Sequence, residues 1–176
     1  MPPRVRRSSR SFGRSSARRK LVWATREVDS LITGNFNADL LQDLRGPGVS
    51  VLGCTVMRTH IRAQLTWAST GTPSDSSLGI GLTVENLLEV TAQTVTWQDA
   101  GQDWALLDRW RPATGINFIP GAGGGLLGGF EGFIIDLRAK RKVQELGETW
   151  CFVGSVPSGQ ESVQLRMIAR TLVALP

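Results

Sequence analysis

Apolar and polar residues alternate along most of this chain with a period of two. The longest such run is Thr55–Trp67. Met57, Thr59, Ile61, Ala63, Leu65 and Trp67 fall on one face of it, and Arg58, His60, Arg62, Gln64 and Thr66 on the other. That period marks a half-buried strand in an antiparallel sheet. Phe133–Val143 repeats it, with Phe133, Ile135, Leu137, Ala139 and Val143 opposite Asp136, Arg138, Lys140 and Lys142. Ser162–Leu175 does so again, with Val163, Leu165, Met167, Ala169, Thr171 and Val173 opposite Gln164, Arg166 and Arg170. Leu21, Trp23 and Thr25 alternate with Val22 and Ala24 in a first strand, and Leu78–Val84 reads as another. Thr149–Val156 is a continuous apolar strand.

The remaining stretches interrupt this pattern. Asn37–Gly46 reads as a short helix: Asn37 caps it, Asp39 suits its positive end, and Gly46 followed by Pro47 stops it. Leu40, Leu41 and Leu44 would be its buried stripe. Glu85–Trp110 is ambiguous: Glu85–Val90 suits a helical turn, Thr91–Trp97 an extended segment, and Trp104–Trp110 either period. Turns are predicted at Ser69–Ser77, Gly147 and Pro157–Gly159. The sum is seven or eight strands at short spacing, one short helix and no alternation of strands with helices. That predicts an all-β protein, an antiparallel sandwich or barrel, with a jelly-roll-like arrangement preferred within that class.

Charge divides the chain in two. Residues 1–20 contain Arg4, Arg6, Arg7, Arg10, Arg14, Arg18, Arg19 and Lys20 and no acid, whereas residues 21–176 hold 12 basic against 15 acidic residues. The formal charge of +5 is therefore a strongly basic arm on a mildly acidic body. Residues 1–19, mostly Arg, Ser, Gly and Pro, cannot bury enough apolar surface to offset their ordering entropy and read as an extended arm. Residues 20–176 read as one β-sandwich domain. The basic start lacks the apolar stretch of a secretory signal, although its composition also fits an organelle transit peptide. No apolar run is long enough for a membrane helix. Cys54 and Cys151 are expected to be two buried, reduced thiols.

The inventory argues against catalysis. The single histidine, His60, sits mid-strand between Arg58 and Arg62, and a Ser–His–acid or Cys–His site would rest on it alone. Two cysteines and one histidine make no metal site. The tract from Pro120 to Gly129 holds Gly121, Gly123, Gly124, Gly125, Gly128 and Gly129 but leads into a strand without the Lys of a phosphate loop. It suits a mobile or packed loop, or a place where backbones of subunits approach closely. No catalytic residue, metal or cofactor is expected. Binding chemistry lies in the arm, whose guanidinium groups suit phosphates or carboxylates. It lies also in a basic face formed by Arg58, Arg62, Arg138, Lys140, Lys142, Arg166 and Arg170, if their strands are neighbours. A plain solvated face is the ordinary alternative. Six Trp residues leave a carbohydrate module conceivable, with Trp67 and Trp97 the places to look.

A Ser/Arg-rich arm running straight into Lys20-Leu-Val-Trp23, followed by one small β-domain, resembles coat proteins of small icosahedral viruses. It is also similar to the decoration or cement proteins of tailed-phage heads. The resemblance covers the organisation of the whole chain and implies a structural virion protein, assembled in the host cytoplasm. Such a protein would self-associate and tie neighbouring subunits or packaged genome with its arm. The partners it implies are copies of itself, a major shell protein, or nucleic acid through the arm, and no membrane. A sequence-nonspecific nucleic-acid-binding β-domain is the alternative.

Overall fold

The computed structural model describes residues 19–46, 50–69, 78–96, 104–110, 119–120, 127–156 and 163–176. The strands are β1 (Leu21–Ile32), β2 (Asn35–Asp39), β3 (Thr55–Ser69), β4 (Leu78–Asn86), β5 (Leu106–Trp110), β6 (Ile119–Pro120), β7 (Leu127–Leu137), β8 (Arg141–Lys142), β9 (Glu148–Ser155) and β10 (Val163–Ala174). A 3-10 turn spans Gln42–Leu44, and α1 spans Leu87–Ala92.

The strands form two sheets that pair antiparallel throughout. The larger runs β1-β10-β3-β7-β6, with β8 added to the start of β3; the smaller runs β2-β9-β4-β5. Leaving aside the two-residue β6 and β8, the chain crosses between sheets at every step except β4 to β5, which form a hairpin. First and last strands are neighbours, and so are β2 and β9. This is the connectivity of a jelly roll. Neither sheet closes on itself, so of the sandwich and barrel expected from sequence the molecule is a sandwich.

Alternation decides what each face meets. On β10, Val163, Leu165, Met167, Ala169, Thr171 and Val173 are buried between the sheets, and on β3 Thr59, Ile61, Ala63 and Leu65 join them. Trp150 and Phe152 of β9 fill the interior from the other side, with Leu78, Ile80 and Leu82 of β4. β9 is apolar on both faces because the smaller sheet is covered on its outside too. Cys151 and Val153 point away from the main core, against Val90 of α1, Val95 and Trp104. Both cysteines are free and buried, Cys54 in the main core and Cys151 in this second cluster.

Three local readings are corrected. Residues 37–39 are not helical but pair in β2 with β9, Asn37 opposite Val153 and Asp39 opposite Cys151. Leu40 N donates to Trp150 O at 2.9 Å, which extends that ladder, and only Gln42–Leu44 coils. An isolated short helix is marginal in water, whereas β2 completes the hydrogen bonds of an apolar strand. Leu40 and Leu41 are nonetheless buried and Leu44 packs beside them. Asp39 does not face a helix dipole. It accepts from Leu41 N, from Thr149 Oγ1 and from Arg45 Nε at 2.9 Å.

The second correction concerns the start of β3. Leu172 pairs with Arg58 but Val173 with Val56, so Met57 is the extra residue of a bulge and Val56 takes the buried place. Third, the helix lies two residues later than Glu85–Val90. Asn86 caps it by accepting from Leu88 N at 2.9 Å, and Gln93 ends it in the left-handed region. The Gln93 side chain then holds Asn37 at both its N–H (2.7 Å) and its carbonyl (2.8 Å), as a neighbouring strand would. Residues 94–96 are irregular rather than a strand, and Trp104–Trp110 resolves into β5. Among the described residues no helix is long and apolar enough to cross a membrane.

Candidate functional site

The outward face of the larger sheet gathers the side chains that the interior cannot use. Because directly opposed residues share a face, the register places them in rows. One row runs Trp23, Leu172, Arg58; the next Thr25, Arg170, His60, Asp136. The third runs Glu27, Ile168, Arg62, Ile134; the fourth Asp29, Arg166, Gln64, Gly132. The strands carrying the expected basic residues are thus neighbours. Arg58, Arg62, Arg166 and Arg170 lie on one face, with Arg138 just beyond the end of β7.

That face also carries apolar side chains. Leu21, Trp23, Leu31, Ile134 and Ile168 all lie on it and all are exposed, Ile134 to 67% and Trp23 to 47%. Apolar side chains interleaved with charge over one continuous surface suit a contact surface better than open water.

Charge is graded along the strands. At the end where β1 begins lie Arg58, Arg138, His60 and Arg170, together with Arg19 and Lys20 where the arm enters the sheet. Leu175 N donates to Lys20 O at 2.9 Å, which fixes that entry beside the end of β10. Asp136 is the acid on this part of the face. Arg58 forks onto it, Nε to Oδ1 at 2.7 Å and Nη2 to Oδ2 at 2.5 Å. The hydrogen bond from Arg58 holds the Asp136 carboxyl below its ordinary range, aided by the charges of Arg58, His60 and Arg138. The same bond raises Arg58 above its usual value.

Arg170 has no carboxylate partner among the described residues; its guanidinium sits 5.1 Å from the Trp23 ring centroid. Trp23, Arg58, His60 and Arg170 together line a recess of about 210 Å³. Toward the other end the balance shifts. Asp29 accepts from Arg166 Nε at 3.1 Å and from Gln164 Nε2, and Glu27, Asp29, Arg62, Gln64, Arg166 and Ile168 border a shallow groove of about 610 Å³.

Other expected site residues lie apart from this centre. Lys140 and Lys142 are exposed at the sandwich edge, where they share a recess with Glu145 and Glu148. Arg141 between them turns inward and donates from Nη2 to Trp104 O at 3.2 Å. Gly128 and Gly129 are strand residues of β7, opposite Ala68 and Trp67 of β3. Gly121, Gly123, Gly124 and Gly125 lie outside the described residues. So do the arm residues Arg4, Arg6, Arg7, Arg10, Arg14 and Arg18, and Trp97. Sequence reasoning passed over Trp23 as a site residue. The available signal was an aromatic on the polar side of a strand adjoining the basic arm.

Among the described residues no cluster of three or more His, Cys, Asp or Glu could hold a metal ion. No protein-family profile matches the chain, and no curated protein matches it. Among solved structures, the crystal structure of the decameric BFDV capsid protein matches over 90% of this chain and 100% of that one. Identity is 11% and the TM-score 0.35, an overlap too loose to carry an argument.

Proposed function

We propose that this chain is a structural protein of a virion shell, a coat or decoration subunit that self-associates. Its arginine-rich arm and the arm-side end of its larger sheet would lie against packaged nucleic acid. One observation carries the reading: the root of the arm and the cations of β3 and β10 meet at one end of one sheet face, with Arg138 beside them.

Jelly rolls serve viral shells, lectins and cupins. A cupin needs an open polar interior, and here Trp150, Phe152, Ile61 and Leu165 fill it. A neutral sugar has no use for eight bases in twenty residues, whereas a phosphate backbone does. Exposed apolar residues on the same face favour burial against a partner over solvation.

The test is light scattering with electron microscopy on full-length protein, at low and high salt, with and without nucleic acid. Closed rings or shells of defined mass are expected. A monomer that coats added nucleic acid without closing into particles would favour the second reading, a nonspecific nucleic-acid-binding β-domain. A monomer that neither assembles nor binds would overturn both.

A further inference from the structure

We infer that Trp23, Arg170, His60 and Arg58 form a site for single-stranded nucleic acid, in which an unpaired base stacks on the Trp23 indole and the adjoining phosphate meets Arg170 and His60. The inference deepens the proposed function and rests on its nucleic-acid arm, but it names a site that could be absent even if shells form.

Three features of the site point the same way. The first is an indole in an unusual place: Trp23 is 47% exposed, on the face of β1 opposite the buried Ala24 and Ile32, so its ring is not part of the core. The second is the charge around it. Arg170 lies over the ring, and Arg58, His60 and Arg170 complete the lining of the recess. Arg58 is committed to Asp136, so Arg170 and His60 are the groups left to meet a phosphate. The third is location. Trp23 lies three residues from Lys20, about 10 Å along an extended strand, so the site sits beside the root of the basic arm.

Chemistry favours an unpaired strand over a duplex. A base inside a duplex shows its neighbours no free π-face, while a single strand can lay one on an aromatic ring. Stacking of a base on an indole is stronger than an exposed guanidinium–ring contact, so a base can displace Arg170 from Trp23. The displaced guanidinium stays within reach of the phosphate that follows. An acidic protein segment would use the cations equally well but would gain nothing from the indole.

The experiment measures binding of full-length protein to an unstructured oligothymidylate and to a blunt duplex of equal length, at several salt concentrations. Trp23→Ala is expected to weaken the single strand about tenfold, with the salt slope and duplex binding unchanged. Trp23→Phe should restore most of the loss, and Arg170→Gln should lower both affinity and the salt slope by about one phosphate contact. Oligothymidylate should quench part of the tryptophan fluorescence, and that part should vanish in Trp23→Ala. Equal losses on single strand and duplex, or wild-type affinity in Trp23→Ala, would overturn the site. So would a Trp23→Ala protein whose only change is in self-association. Failure of the shell reading is seen separately, as the absence of particles in the wild-type protein.

Discussion

Trp150 spans the interior from one sheet to the other. Its Nε1 donates to Thr59 Oγ1 at 2.9 Å, and Thr59 in turn lies 3.4 Å from Thr171 Oγ1, all fully buried. A buried polar pair is costly to break from one side, because the remaining group keeps its desolvation penalty. Thr59→Val, nearly isosteric, should therefore cost about 1–3 kcal/mol by leaving the indole N–H without an acceptor. Trp150→Phe should cost at least as much through lost volume, and the double substitution less than the sum of the two, as read by urea unfolding. The cysteines give a second expectation at this scale. Burial raises both thiols, Cys151 well above its ordinary 9.0 and Cys54 despite the lowering effect of Arg45. Unfolded thiols thus ionise first, so their contribution to stability is whole below about pH 9 and falls as pH rises beyond it. The chain has no Tyr to obscure that limb. Cys151→Ala should flatten it in a series of melting temperatures, and neither native thiol should react with an aromatic disulfide reagent until the protein unfolds.

At the scale of elements, the smaller sheet depends on its outer cover. Trp104 lies so close over β4 that a Cβ on Gly81 would come within 2.0 Å of its Cζ3. Gly81→Ala should force the indole out and cost about 1–3 kcal/mol, and shortening the ring with Trp104→Leu should recover part of it in thermal unfolding. This cover also explains a difference in legibility between strands. β3 and β10 were readable from sequence because one face of each is exposed and the alternation survives; of β7 only Phe133–Leu137 was, since the strand starts at Leu127 inside the glycine tract and the run read on to Val143 breaks at residues 138–140. β2 was not. Of its five residues, Asn37–Asp39 look like the start of a capped helix, and only the demand of β9 for a hydrogen-bonded neighbour draws them into a strand. The bulge at Met57 was equally hidden, since it arises from the fit of β3 against β10 and not from either strand alone.

For the whole molecule, arm and sandwich are expected to be separable in stability but joined in charge. The described fold begins at the arm's root, with Lys20 O bonded to Leu175 N before β1 starts. Deleting residues 1–18 should leave the melting temperature almost unchanged, since no bond described in the sandwich is lost. The same deletion removes six arginines, so the salt dependence of single-strand binding should flatten by up to about 4 units of log–log slope. A slope left unchanged would place the phosphate contacts on the sheet face alone.

By itself the sequence determined the class of fold, the basic arm and the surface nature of the cations. Period-two alternation and a charge imbalance are local properties that need no knowledge of neighbours. Tertiary structure alone decided that β10 lies between β1 and β3, which brings Arg170 over Trp23 and beside His60. It decided too that Arg58 is matched by Asp136, 78 residues away, while Arg170 has no acid partner among the described residues. The physical reason is register. A strand's sequence fixes which side chains share its face, but only pairing with another strand fixes what lies opposite each of them.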